Sequence, residues 1–333
     1  MARMQYSVTA VVVSYNRAQL LGECLRALAD QKRTPDRIVV IDNASEDDAL
    51  SVAREFAANC AIPTRIVALP HNVGGAGGFC AGIALAVHDA PAVPGTVDYL
   101  WLMDDDTVPT PNALSGLLRA ADACVRANGC LPTVLGSKAL WVDGREHLMN
   151  KPRPRAALAK GARTTDDGAY QVRSLSFVSC LINVGAVRGR HRLPVSAFFL
   201  WNDDFEYTTA LLRDGIGYYV PSSEVIHKTK RFGSSDADPG VRFYNEVRNK
   251  IWMWRFRRDD FTAVGACAFV AKTTRRWILT LLRTSDRATI MQCLRNGWRD
   301  GWHTAPESNA AIFARVDPRL VPLIDDIEGG RLM

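Results

Sequence analysis

Continuous β-branched runs alternate with segments whose apolar residues recur every three or four positions. Val8-Thr-Ala-Val-Val-Val-Ser14 has the pattern of a strand buried on both faces of a parallel sheet. Leu20, Leu21, Cys24, Leu25 and Leu28 then share one face of a helix, and Pro35 follows it. Arg37-Ile-Val-Val-Ile-Asp42 predicts a second strand, Asp47 to Asn59 a helix, and Arg65-Ile-Val-Ala68 a short third strand. Tyr99-Leu-Trp-Leu-Met103 predicts a fourth, after which Pro111 opens a helix with Leu114, Leu117, Leu118 and Ala121 on one face. Ser137–Val142 and Val172–Asn183 read as strands of a mixed-sheet half, and the basic, proline-containing, aperiodic 151–163 between them predicts a mobile loop. A further helix carries Leu211 and Leu212, Gly217–Pro221 predicts another strand, and Val225-Ile-His-Lys228 places a histidine just beyond it. This succession of βαβ units predicts an α/β fold, a Rossmann-like open twisted sheet with helices on both faces. Its ligand crevice is expected at the carboxyl ends of the strands.

The polar residues gather at those ends. Ser14-Tyr15-Asn16-Arg17 closes the first strand, Asp42-Asn43-Ala-Ser45 the second, and Asp104-Asp105-Asp106 the fourth. Consecutive carboxylates are too costly to bury without a cation, so the triplet faces water or positive charge. On an extended backbone Asp104 and Asp106 project to one side, roughly 6.5 Å apart at about 3.3 Å per residue, with Asp105 opposite. Oxygen ligands so placed suit Mg²⁺ or Mn²⁺, which commonly share their remaining positions with substrate phosphates. A solvated acidic turn capping the next helix is the other reading.

Between the third and fourth strands, His71-Asn72-Val73-Gly74-Gly75-Ala76-Gly77-Gly78-Phe79 lets backbone approach a ligand closely. A helix from about Phe79 to Val87 would then offer its free N–H groups to an anion. The stretch matches neither the dinucleotide fingerprint nor a P-loop, and a tight turn with close helix packing also explains it. A second acidic cluster, Trp201-Asn202-Asp203-Asp204-Phe205-Glu206-Tyr207, ends another apolar run and opens a helix. Its carboxylates read either as first-turn anions or as chemistry, and Trp201 and Tyr207 either as a sugar-stacking pair or as core.

The eight cysteines show no Cys-x-x-Cys spacing and read as thiols of a reducing compartment. No signal peptide is visible at the start, and no apolar run reaches membrane-spanning length. Residues 242–300 hold 13 Lys/Arg against 5 Asp/Glu, whereas the whole chain carries +6, so the rest is slightly acidic. If Val264–Arg283 is helical, Lys272, Arg275, Arg276 and Arg283 fall on one side and Val270, Trp277, Ile278 and Leu281 on the other. Such a helix suits an anionic membrane surface or packs on the rest of the chain with its basic face in water.

These motifs, in this order, resemble family 2 inverting glycosyltransferases of GT-A fold, over roughly residues 7 to 230. The glycine stretch and the Asp triplet look most like bacterial galactofuranosyltransferases, and rhamnosyltransferases using dTDP-rhamnose share much of the pattern. Arg242-Phe-Tyr-Asn-Glu-Val-Arg-Asn249 resembles both groups. The resemblance implies a UDP-sugar donor site made by Tyr15, Arg17, Asp42, Asn72, Gly74, Gly75 and Asp105, with Asp42 on the nucleoside. It further implies Asp104, Asp106 and His227 as ligands of Mn²⁺ or Mg²⁺, and Asp204 as catalytic base with Asp203 the alternative. Trp201, Glu206 and Tyr207 are assigned to the acceptor.

The expected enzyme is a metal-dependent transferase of galactofuranose from UDP-galactofuranose to a lipid-linked glycan, peripheral on the cytoplasmic face of the plasma membrane. Rhamnosyl transfer from dTDP-rhamnose is the alternative. The division expected is a catalytic domain over 1–235 and a basic, membrane- or acceptor-associating helical region over 236–333. Homo-oligomer formation stays open. Nucleic acid is not expected as a partner, because binding it through residues 242–300 leaves both acidic clusters unexplained.

Overall fold

The computed structural model describes residues 4–90, 93–155, 160–230, 232 and 239–329. Strand β1 (Gln5–Ser14), helix α1 (Ala18–Ala29), β2 (Arg37–Asp42), α2 (Ala49–Asn59) and β3 (Thr64–Ala68) form the first βαβαβ run. Helix α3 (Gly74–His88) then crosses to β4 (Thr96–Asp104), which pairs on the other side of β1. All four strands are parallel, and their register sets Ser14 level with Asp42, Asp42 with Ala68, and Val13 with Asp104. The polar strand ends therefore share one edge, and the order β3-β2-β1-β4 reverses between β1 and β4, where open α/β sheets open a crevice.

Past β4 come the short β5 (Thr107–Pro109), α4 (Ala113–Asn128), β6 (Val134–Leu140), β7 (Tyr170–Gln171), β8 (Cys180–Asn183), α5 (Val184–Arg190), α6 (Asp203–Leu211) and β9 (Gly217–His227). They extend the sheet as β4-β8-β6-β9-β5, with β8 antiparallel to its neighbours, so the sheet is mixed. The expected strand over 172–183 shrinks to Cys180–Asn183 behind a 3₁₀ turn at Phe177–Ser179, where Phe177 turns into the core. The two segments read separately at 217–221 and 225–228 are one strand, so His227 ends β9. Of the expected loop 151–163, residues 156–159 lie outside the described residues. Its flanks are tied down, with Arg155 donating to the Gln171 carbonyl and Gln171 to that of Arg163.

Alternate residues of the central strands feed two cores, as continuous apolar strands require. Val11, Val13, Val39 and Ile41 pack under α3, while Val8, Ala10, Val12, Ile38 and Val40 pack with α1, α2 and α4. The glycine stretch is helix rather than loop. A Cβ on Gly78 would lie 2.5 Å from a Val13 methyl, and one on Gly82 would meet Val11, so the glycines let α3 settle on β1.

The C-terminal region is helical: α7 (Phe243–Phe256), α8 (Ala263–Arg283), α9 (Arg287–His303), α10 (Asn309–Val316) and α11 (Val321–Glu328). Trp252, Met253 and Phe269 pack on Ala76, Val195 and Phe198 of the preceding part, and Phe313, Ile324 and Ile327 join the core beneath α3. The expected division at 235/236 lies outside the described residues. On α8, Trp277 and Leu281 pack against the α7/α9 cluster, whereas Val270 and Ile278 stay exposed. No helix among the described residues is long and apolar enough to cross a membrane.

Candidate active site

β4 ends at Asp104, and Asp105-Asp106 make a turn into β5. The alternation expected of an extended strand fails there. Asp105 and Asp106 converge on one Arg17 nitrogen, at 3.3 and 2.5 Å. Asp105 also accepts from the Ser14 hydroxyl and the Tyr15 amide, both at 3.0 Å. Its carboxylate therefore braces the end of β1 in the ligand-free fold. Burial pushes Asp105 up to about 6 against the pull of Arg17.

The edge strand completes this corner. Thr107 pairs directly with His227 across β5 and β9, and the Lys228 amide donates to the Asp106 carbonyl. The register carries His227 Nε2 to 3.4 Å from Asp106 Oδ1, a buried oxygen with no hydrogen-bond partner. His227 Nδ1 is 3.0 Å from Asn150 Oδ1, a contact that fixes the ring with Nε2 turned toward Asp106. Burial would raise Asp106, but His227 and Arg17 hold it below the usual carboxylate range. Asp104 is driven well above that range by burial and by the Asp106 and Asp105 charges, with Arg17 opposing and Asp203 adding to the rise.

Three carboxylates against one guanidinium, with one orphan oxygen beside the His227 ring, offer oxygen and imidazole donors of the kind a hard divalent cation takes. Among the described residues no three His, Cys, Asp or Glu side chains already converge as a complete cage.

Further along the edge, the Asp42 carboxylate accepts from the Ser45 amide and leaves a buried Oδ1 without a partner. Asn43 beside it donates to Asn72 Oδ1 and to the Gly74 carbonyl and accepts from the Val73 amide. Asn72 also accepts from the Gly74 amide, so it is engaged in fixing the start of α3. Gly74 has φ +71°, and a Cβ there would strike the Phe199 carbonyl, whereas Gly75 faces open space. The Ala76 amide donates to that same carbonyl at 3.2 Å, which ties α3 to the loop leading into the second acidic cluster.

The 197–202 loop is held from below by α7. Asn249 Nδ2 donates to the carbonyls of Phe198, Leu200 and Trp201, Arg248 to those of Ala197 and Phe198, and Glu246 accepts from Asn202. These clamps hold Phe199, Trp201 and Asn202 at positive φ and launch α6 with Asp203 and Asp204 in its first turn. Asp203 is buried on the side of Asp104. Burial and then the Asp204 charge push it up to about 7. Asp204 is half-buried and faces Lys250 of α7; burial raises it, while the Phe205 amide and the Lys250 charge oppose the rise.

Two residues assigned to the acceptor point inward. Glu206 is 1% exposed, paired with Arg192 and, at 3.2 Å, with Arg257. Tyr207 is fully buried and donates to the Arg192 carbonyl. The register of α6 turns both toward the core. Trp201 lines an open cavity. Sequence reasoning missed Asn43, Asn150 and Lys250; Asn43 and Lys250 lie within or beside quoted motifs, but nothing local marks Asn150 as the partner of His227.

Residues 9–171 match the family described as Glycosyl transferase family 2. Among curated proteins, the galactofuranosyltransferase GlfT1 of Mycolicibacterium smegmatis is 37% identical over 117 residues, covering 34% of this chain and 35% of that protein. The Mycobacterium tuberculosis GlfT1 is 39% identical over 103 residues, 31% of each. The matched part thus spans about a third of the length of these relatives. Among solved structures, Staphylococcus aureus TarS 1-349 aligns over 98% of this chain and 91% of its own with TM-score 0.58 at 15% identity. A mannosyltransferase of Pyrobaculum calidifontis, in complex with GDP-Man and Mn²⁺, aligns over 98% and 86% with TM-score 0.54 at 16% identity. The fold is therefore that of GT-A glycosyltransferases, and residues 9–171 carry a match to glycosyltransferase family 2, with galactofuranosyltransferases among the similar curated proteins.

Proposed function

We propose that this chain transfers galactofuranose, with inversion, from UDP-galactofuranose to a hydroxyl of a lipid-linked glycan. One observation supports the reading: the Ala76 amide at the start of α3 bonds the Phe199 carbonyl, tying the loop that leads into Asp203 and Asp204 to the strand-end edge that carries Asp42 and Asp104. The names of the curated relatives supply the donor.

Asp42 receives the nucleoside through its unpartnered oxygen, beside Tyr15 and Arg17, and Gly75 leaves room for the diphosphate at the start of α3. Asp104, Asp106 and His227 hold Mn²⁺ or Mg²⁺, which when bound neutralises charge on the departing diphosphate. Asp204 takes the proton of the acceptor hydroxyl as that oxygen bonds to the anomeric carbon and the bond to the diphosphate breaks. Inversion needs this base on the side of the anomeric carbon opposite the leaving group. Lys250 favours the ionised form of this base.

Exposed Ile278, Leu282, Trp298 and Trp302 lie on α8 and α9 among Lys272, Arg295 and Arg299, a surface suited to peripheral contact with an anionic cytoplasmic leaflet. The reading is tested by thermal stabilisation with Mn²⁺ and UDP-galactofuranose, UDP-galactopyranose or dTDP-rhamnose. UDP-galactofuranose is expected to protect most, since protection follows affinity. Greater protection by dTDP-rhamnose overturns the donor assignment.

A further inference from the structure

Beside the second acidic cluster lies a cavity of about 220 Å³ that the transfer reaction as described does not use. Its walls are Trp201 and Phe243 on one side and Arg275, Arg276, Leu279 and Arg283 of α8 on the other. The arginines recur at a spacing of seven to eight residues along one face of the helix, about 10–12 Å apart along its axis at ~1.5 Å per residue. Arg276 is partly engaged, 3.8 Å from Glu246, but Arg275 and Arg283 make no ion pair among the described residues. At ~30 Å³ per water the space holds about seven waters, enough for one or two phosphate groups and too little for a sugar nucleotide.

We propose that this cavity binds a phosphate or diphosphate group of the acceptor molecule, and so delivers the acceptor hydroxyl to Asp204. Arg275 and Arg283, without carboxylate partners among the described residues, each offer a planar fork of N–H donors that matches phosphate oxygens, with Arg276 nearby. The aromatic wall belongs to the same loop as the acidic cluster: Trp201 is two residues from Asp203 and is pinned through its carbonyl by Asn249. A group seated against Trp201 is thereby held in register with the first turn of α6. This site deepens the glycosyl-transfer reading by giving the acceptor a negatively charged anchor, and it rests on that reading.

The test uses the full chain and a double variant, Arg275→Gln with Arg283→Gln, with Arg275→Lys/Arg283→Lys as a second variant that keeps charge but loses the fork. Inorganic pyrophosphate is titrated by calorimetry in EDTA, which removes binding through a metal at the donor site. UDP is titrated separately with Mn²⁺ present. Pyrophosphate affinity is expected to fall at least about tenfold in the glutamine variant and less in the lysine variant. The UDP affinity is expected to stay unchanged. Flotation with phosphatidylcholine vesicles, with and without phosphatidylglycerol, separates the sources: loss of both pyrophosphate and vesicle binding assigns the phosphate to a lipid headgroup and overturns its assignment to the acceptor. Loss of pyrophosphate binding alone assigns it to the acceptor's own diphosphate. Equal pyrophosphate affinity in wild type and glutamine variant overturns the site, including when only vesicle binding falls. Failure of wild type to bind UDP with Mn²⁺ would instead count against the transferase reading.

Discussion

His227 Nε2 stands 3.4 Å from Asp106 Oδ1 because Thr107 and His227 are direct partners across β5 and β9. Residues some 120 positions apart are thus locked together by the edge of the sheet. The orientation depends on Asn150, whose Oδ1 lies 3.0 Å from Nδ1 and keeps Nε2 turned toward the carboxylate. Removing such a supporting partner typically costs about 10–100-fold in metal affinity. Asn150→Ala is therefore expected to weaken Mn²⁺-dependent UDP binding about tenfold, and His227→Ala more, both measured by calorimetry at fixed UDP. Metal-independent UDP binding should not move.

The two glycines at the start of α3 differ in what surrounds them. Gly74 sits at φ +71° with the Phe199 carbonyl where a Cβ would be, whereas Gly75 has nothing within 4 Å. Strain and backbone overlap together predict that Gly74→Ala costs about 2–4 kcal/mol in denaturant unfolding. Gly75→Ala should leave stability nearly unchanged and weaken donor binding only through the space it fills.

This contrast also shows why the glycine stretch was legible as important but not as structure. Helix propensity argues against four glycines in one turn and a half, yet burial of Gly78 and Gly82 against Val13 and Val11 overrides it, since only a helix without side chains fits that gap. The parallel strands were readable because β-branched runs buried on both faces leave few alternatives. The Asp104–Asp106 geometry was not, because a two-residue turn replaced the extended backbone on which alternation depends. The inward turn of Glu206 and Tyr207 was hidden for a similar reason: in so short a helix the inward face is set by Arg192, Arg257 and the core, none of them within the helix itself.

Asn249 gives its amide to the three carbonyls that shape the 197–202 loop. Asn249→Asp replaces that donor with an acceptor and leaves buried carbonyls unpaired, at a cost of about 1–3 kcal/mol or more. The variant is expected to unfold at lower denaturant and to lose kcat for transfer while its Mn²⁺-dependent UDP affinity is retained. Equal stability to wild type would show that α7 does not hold this loop.

Burial and Asp204 raise Asp203 to about 7 from an ordinary 3.8, so the folded state binds a proton that the unfolded state releases. That contribution to stability is fully present below the unfolded value and is lost as pH rises through about 7. Asp203→Asn cannot ionise and escapes this loss. Its thermal midpoint relative to wild type is expected to rise from pH 4 to pH 8, without metal or nucleotide present. A difference independent of pH would mean that Asp203 is not pushed upward in the folded protein.

The assignment of proton removal to one cluster and donor binding to the other is tested most directly by Asp204→Asn, assayed for galactofuranosyl transfer and, in parallel, for UDP affinity with Mn²⁺. Transfer is expected to fall by about 10²–10⁴, the range of a lost general base, with nucleotide affinity unchanged. Normal turnover, or a fall in UDP affinity as large as the fall in rate, would contradict the account.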